Sequence, residues 1–361
     1  MSSCVFHKFS RSLSAPRRGS GAIAKPDALT VCLHRTALQY HQLARVHKLA
    51  AGVCAGKGSQ QQTVKDIPVI QSIYDVDNGQ ILGFGADLAE DHPGYHDEAY
   101  KLRRALLAER AKQHVIGTPI PNVSYSAEEV STWNTVLEQL SDLLPRHACK
   151  EYLRCLPLFN FQHGRVPQLE EMSQVLQATT GWTIRPVAGL MHPRHFLAGL
   201  AFKHFHSTQY MRHPSKPSYT PEPDVVHELI GHVPLLADPA YSRLVQAIGA
   251  ASLGADEKTI WHLTKVYWYT VEFGVVREGD IIKAFGAGIL SSFGELAHMA
   301  AGSAELQPLD PFRPLPRMSY KDGYQTRYFL LDSFQSGAEL LQNYAATLAL
   351  PESLRGDASV A

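Results

Sequence analysis

The stretch PEPDVVHELIGHVP, residues 221–234, sets His227, Glu228 and His232 within six positions. Imidazole nitrogens and carboxylate oxygens are the ligands of zinc and of non-haem iron. The spacing misses the zinc-protease signature H-E-x-x-H by one residue, because the second histidine arrives late. At about 100° per helical residue, a pair four apart is separated by about 40° and a pair five apart by about 140°. One straight helix therefore does not aim His227 and His232 at a common ion. The sequence suggests an exit: Asp224 is a good N-cap, Gly231 is the usual residue for a left-handed stop, and Pro234 opposes continuation. The expectation is a short helix ending at Gly231, with His232 beyond the turn and swinging back.

A third ligand is required. In KVYWYTVEFGVV, Glu272 lies among Trp268, Tyr269, Val271 and Phe273. A carboxylate in so apolar a run is paired or metal-bound, because burying it alone costs several kcal/mol. Two histidines and a carboxylate form the facial triad of non-haem Fe(II) oxygenases. They equally suit zinc with a bound water, where Glu228 would be the base of a hydrolase. Spacing does not choose between these metals, and two histidines in one segment are more often core or surface residues than ligands.

The elements that must position these groups read as mostly α, a single catalytic domain with a few short strands. HDEAYKLRRALLAERAKQ (96–113) is rich in helix formers. Ser126 and Glu129 form a capping box ahead of Val130, Trp133, Val136, Leu137, Leu140 and Leu144, one apolar face. Further helices are expected at 167–182, stopped near Gly181, from Asp238-Pro239 through Ile248, from Asp256 to Val276, and at 333–350. Strand candidates are 182–189 and 324–331.

Composition sets the outer limits. The 361 residues are 45% hydrophobic and 19% charged, with Lys plus Arg and Asp plus Glu at 34 each. That is a globular composition with no charge bias toward nucleic acid or an acidic membrane surface, and no run nears the roughly 20 apolar residues of a membrane span. The cysteines Cys4, Cys32, Cys54, Cys149 and Cys155 have no framework spacing and read as ordinary thiols. Residues 1–60 differ from the rest: serine-rich, with Lys8, Arg11, Arg17, Arg18 and further basic residues against Asp27 alone. This is the pattern of an organelle transit peptide, the other reading being a disordered basic tail. The expected division is thus a tail to residue 60, a catalytic domain over 61–350, and a polar tail over 351–361.

Longer motifs then carry a resemblance. TQYMRHPSKPSYTPEPDVVHELIGHVPLLADPAY, ASLGA, YWYTVEFGVV and KAFGAGILSSFGEL, preceded by GADLAEDHPGYHDEAY, PIPNVSYSAEEVSTW, HACKEY and RPVAGLMHPRHFLAGLAF, resemble the pterin-dependent aromatic amino acid hydroxylases over roughly residues 65 to 348. The resemblance implies mononuclear Fe(II) on His227, His232 and Glu272, and ring hydroxylation of an aromatic amino acid with O₂ and a reduced pterin. It assigns Arg212 to the substrate carboxylate, Thr220, Asp224 and Ser291 to the remaining polar contacts or to holding Arg212, and Trp268 to the aromatic wall with Phe273 behind it. It assigns Phe196 to stacking on the pterin, Gly189 and Leu190 to backbone bonds with it, and Glu228 and Tyr267 to completing that pocket.

Departures from the animal enzymes shape the remaining expectations. No regulatory domain precedes the motifs and no long tetramerisation helix follows Leu350, so a monomer or dimer is expected. The pterin loop reads Leu190-Met191-His192-Pro193, which leaves tetrahydrobiopterin, another reduced pterin or a reduced folate as cofactor. MSYKDGY (318–324) matches poorly where family members differ by substrate. Trp268 resembles the phenylalanine and tyrosine enzymes, and L-phenylalanine to L-tyrosine conversion is expected, with tyrosine or tryptophan hydroxylation, or a zinc hydrolase, as alternatives. The basic tail points to the plastid, with mitochondrion or cytoplasm as alternatives.

Overall fold

The computed structural model describes residues 69–77, 81–83, 88, 90, 92–217, 222–318 and 324–348. The expected tails, 1–60 and 351–361, lie outside the described residues, as does Thr220. The helices begin where their caps dictate. In α1 (Glu98–Lys112) the Asp97 carboxylate accepts from the Tyr100 N–H, and in α2 (Ala127–Ser141) Ser126 and Glu129 close the capping box. Such a cap contributes about 1 kcal/mol. The apolar face of α2 buries Trp133, Val136 and Leu140, while Leu144 belongs instead to a separate short turn, α3 (Leu144–His147). Next come α4 (Lys150–Cys155) and α5 (Leu169–Thr179), the latter capped by Gln168. Cys149 and Cys155 are free and buried.

The centre of the molecule is α8 (Pro239–Ser252), which runs four residues past the expected Ile248. It packs on α6 (Pro193–Ala201) and on the last helix, α12 (Phe334–Thr347). Between α6 and α8 lie α7 (Val233–Leu236) and the histidine segment before it, and after α8 comes α9 (Glu257–Tyr267). Two short helices, α10 (Ala287–Leu290) and α11 (Phe293–Ala300), complete this layer. Among the described residues no helix is long and apolar enough to cross a membrane.

The strands are short. β1 (Ile81–Gly83) pairs antiparallel with β3 (Leu190–Met191), and β2 (Thr183–Pro186) pairs parallel with β4 (His204–Ser207). A four-stranded sheet has the order β6-β5-β8-β7, from β5 (Gly274–Glu278), β6 (Ile281–Ala284), β7 (Glu305–Pro308) and β8 (Arg327–Leu331). Of these, β2, β4, β5 and β8 bury residues in the main core. The mostly α reading with a few short strands therefore holds.

Two local expectations are corrected. The helix expected to reach Val276 leaves helical conformation at Phe273, and Val275 and Val276 instead pair across a hairpin with Ala284 and Lys283. The two-residue turn Gly279-Asp280, with Gly279 at φ +60°, reverses the chain there. Positive φ at the first turn position is what tight hairpins use, and that signal was overrun by the helical periodicity before it. The second correction concerns Gly231, which does not end a helix.

Candidate active site

Residues His227–His232 form a π-helical turn that flows into α7 without a break. Asp224 caps the start as expected, its Oδ1 accepting the His227 N–H at 3.0 Å. The π register is visible in the Val233 N–H, which donates to the Glu228 carbonyl five residues back. In such a turn residues five apart lie one above the other. The late histidine is thus the period of a π turn rather than a chain reversal, and Pro234 is tolerated because the Ile230 carbonyl four residues before it accepts from the Tyr152 hydroxyl at 2.8 Å instead. Gly231 serves packing. A Cβ there would stand 2.8 Å from both the Cβ and the carbonyl oxygen of Ala287, at the start of α10.

Glu272 arrives by the same device. Its segment, Trp268–Glu272, is a second π turn continuing α9, closed by the Phe273 N–H bond to the Trp268 carbonyl at 2.9 Å. Tyr267 and Glu272, five apart, consequently both line one cavity. The three ligand atoms converge: Nε2 of His227 and His232 are 3.1 Å apart, and the Glu272 oxygens lie 3.4 Å and 3.2 Å from them. Ligands about 2.1 Å from one ion have edges of about this length. The donor set therefore fits a single metal held from one side, with the remaining positions facing the cavity. This is also the sole such cluster of His, Cys, Asp and Glu found among the described residues.

The electrostatics agree. Burial would raise the Glu272 carboxyl, but His232 and His227 on either side hold it well below the usual carboxylate range. Burial lowers His232. His227 is also pushed down by burial, yet the Glu272 carboxylate outweighs this and leaves it above its ordinary value. Ser291, grouped above with the substrate contacts, sits against His227: its Oγ is 2.8 Å from Nδ1 and donates its own hydrogen to the Ala287 carbonyl at 2.7 Å. With that hydrogen committed, Ser291 accepts from Nδ1–H and leaves the Nε2 lone pair for the metal.

The cavity is about 140 Å³. Gly189, Leu190, Phe196, Glu228, Tyr267 and Trp268 line it together with the three candidate ligands. Phe196 meets Tyr267 edge to face, with ring centroids 5.1 Å apart. Burial raises the Glu228 carboxyl to about 8, helped by Glu272 and opposed by His227. Phe273 lies behind Trp268, with ring centroids 4.5 Å apart.

Arg212, Asp224, Ser291 and Phe273 are not among the cavity-lining residues. Asp224 directly follows the lining residue Pro223, and Arg212 lies two residues after the lining residue Tyr210. They form a buried two-pronged pair, with Nε to Oδ2 at 3.0 Å and Nη2 to Oδ1 at 2.8 Å. Both segments are anchored to α1: Arg104 forms a buried ion pair with Glu222, and its guanidinium lies 3.8 Å above the Tyr210 ring.

The structure adds lining residues that the sequence reading missed, chiefly His206, Thr264 and Met318. His206 is held neutral by burial, pushed down to about 3. Its alternation with His204 on β4 was a legible if weak signal; Thr264 carried none, and Met318 stood out only as the first residue of the poorly matching stretch 318–324.

Comparison with known proteins decides the family. Residues 68–360 match the profile described as biopterin-dependent aromatic amino acid hydroxylase. The chain belongs to this family. It is 80% identical over 292 residues, 81% of each chain, to a phenylalanine 4-monooxygenase, chloroplastic, of Chlamydomonas reinhardtii. A protein of the same name in Physcomitrium patens is 59% identical over 85% of this chain and 79% of its own. Among solved structures, the Chromobacterium violaceum phenylalanine hydroxylase with bound iron(III) and 7,8-dihydrobiopterin matches at a TM-score of 0.56 and 35% identity, covering 63% of this chain and 85% of that one. With hydroxylase membership established, the zinc hydrolase alternative falls away.

Proposed function

We propose that this hydroxylase is a phenylalanine 4-monooxygenase of the plastid, converting L-phenylalanine to L-tyrosine with O₂, iron and a reduced pterin. The observation that carries the reading is the cap of His227, His232 and Glu272, which opens onto the cavity walled by Phe196 and Trp268. Iron held by these three supplies the O₂ chemistry, and a ligand set on one side leaves room for it. The relatives from the alga and the moss are named as chloroplastic, in agreement with the transit-like composition of residues 1–60.

The residue roles follow from chemistry. Phe196 offers a face for the flat pterin, and the backbone at Gly189 and Leu190 offers it hydrogen bonds. Glu228, whose carboxyl is raised by burial, lines the cavity where it meets that cofactor. Arg212, aligned by Asp224, keeps guanidinium N–H groups for the amino acid carboxylate. Trp268, backed by Phe273, walls the ring. Thr220 retains its proposed polar contact. The region 61–350 is taken as one catalytic domain, and the assembly as a monomer or dimer, which light scattering tests.

The deciding experiment is anaerobic loading of the purified chain with Fe(II), then addition of phenylalanine, O₂ and either tetrahydrobiopterin or tetrahydrofolate. Tyrosine formation with one of them is expected, and the preferred one identifies the cofactor. No tyrosine with any reduced pterin or folate sinks the reading.

A further inference from the structure

The direction of the Arg212 guanidinium is set from two sides. The Arg212 backbone N–H donates to Asp224 Oδ2 at 2.8 Å. The carbonyl of the same peptide unit, that of Met211, accepts from the Tyr100 hydroxyl at 2.9 Å. A peptide unit is planar, so a bond at each end leaves it little freedom to tilt. Further out, Nε and Nη2 donate to Asp224, and Nη1 donates to the Pro217 carbonyl at 3.1 Å. Among the described residues one N–H on each terminal nitrogen then stays uncommitted, a match for the two oxygens of a carboxylate.

Tyr100, in the first turn of α1, is itself held on every side. Its hydroxyl accepts from Arg104 Nη1 at 3.3 Å, and its own hydrogen goes to Met211. The ring is stacked beside His92, with centroids 5.9 Å apart, and meets His213 edge to face at 5.0 Å. Gly94 lets the chain pass against that ring, since a Cβ there would stand 2.4 Å from its Cδ1. His92 accepts the Gly94 N–H on Nδ1 at 2.9 Å, so its Nε2–H is the group 3.2 Å from Glu222. His213 Nε2 lies 3.3 Å from Asp97, whose other oxygen caps α1. Residues 92–104 therefore grip Met211 and His213 on either side of Arg212, and Glu222 two positions before Asp224.

We propose that Tyr100 is a positioning residue for the amino acid carboxylate, acting through the Met211–Arg212 peptide. The inference rests on the monooxygenase reading above. Tyr100 does not line the cavity, so its influence on substrate passes through the peptide that its hydroxyl holds. Without the hydroxyl, the Met211 carbonyl loses its donor and the peptide tilts about the remaining bond to Asp224. The guanidinium at the end of a long side chain amplifies that tilt, and a two-pronged contact needs both oxygens met in one plane.

The test uses the iron-loaded full chain with saturating tetrahydrobiopterin and varied L-phenylalanine. Tyr100→Phe keeps the ring and removes only the hydroxyl. It is expected to raise the KM for phenylalanine about fivefold, the scale of one lost hydrogen bond, with kcat, pterin KM and iron content little changed. The same change is then made in the Arg212→Lys background. Two residues acting through one contact do not add, and there the KM is expected to rise by less than about twofold. The full effect repeated in that background overturns the proposal, as do parallel losses in pterin KM and iron content. A lowered thermal midpoint with an unchanged phenylalanine KM overturns it too, leaving Tyr100 as part of the scaffold alone. Failure of the functional reading is separate, because there the wild-type chain itself makes no tyrosine from phenylalanine.

Discussion

At the scale of single residues, the site depends on groups that fix the direction of others. Ser291 directs His227 by accepting from Nδ1–H, its own proton being engaged by Ala287. Partners of this kind typically change metal affinity by about 10–100-fold. Ser291→Ala is therefore expected to weaken iron binding by that order with the far-ultraviolet circular dichroism unchanged; metal titration by calorimetry checks it. Glu272→Ala removes a ligand outright, and elemental analysis after desalting should find the folded variant largely without iron. Arg212 presents a planar fork already aligned by Asp224, which a lysine ammonium does not reproduce. Arg212→Lys should raise the KM for phenylalanine at least about tenfold with a smaller fall in kcat. Equal loss in both, seen in steady-state kinetics, would place Arg212 in a different role.

At the scale of elements, both ligand-bearing segments are π turns, His227–His232 and Trp268–Glu272. The type of element, a short helix capped by Asp224, was legible in the sequence, but its register was not. Caps and periodicity identify a helix, whereas a shift from α to π bonding is stabilised by what the turn packs against. Here that neighbour is α10, on which Gly231 lies with no space for a side chain. Gly231→Ala is expected to cost about 1–3 kcal/mol through overpacking. Thermal unfolding should show Tm lowered by several degrees, and iron affinity should fall as well, because α10 leads directly into Ser291. A stable variant with full iron affinity would show that the π turn does not need this contact.

At the scale of the whole molecule, buried titratable groups link stability to pH. Glu295 on α11 accepts from the Tyr328 hydroxyl and from the Gln325 N–H at 3.1 Å, tying β8 to the helical layer. Burial raises its carboxyl to about 7, opposed by those two bonds. The folded value thus lies above the unfolded one of about 4.5. The native state holds the proton more tightly, so this contribution is full below about pH 4.5 and is lost as pH rises through 7. The loss by pH 8 is on the order of 3 kcal/mol. Denaturant unfolding between pH 5 and 8 is expected to show stability falling with pH, and Glu295→Gln to flatten the curve. An identical slope in the variant would mean that other groups carry the dependence.

The sequence alone named the candidate ligands and the kind of elements that carry them. Side-chain type limits what binds a metal, and caps with apolar periodicity act over a few neighbouring residues. His227, His232, Glu272, the Asp224 cap and the α2 capping box follow from such short-range rules. Only the tertiary structure decided how the ligands converge, because π register, the β5–β6 hairpin and the position of Ser291 against His227 depend on contacts between distant segments. The same holds for Met318, which lines the cavity at the end of residues 309–318, whose carbonyls at Pro311, Leu315 and Arg317 are bonded along α9 and the turn that follows it. No pattern around residue 318 records the helix some fifty positions earlier that supplies those donors.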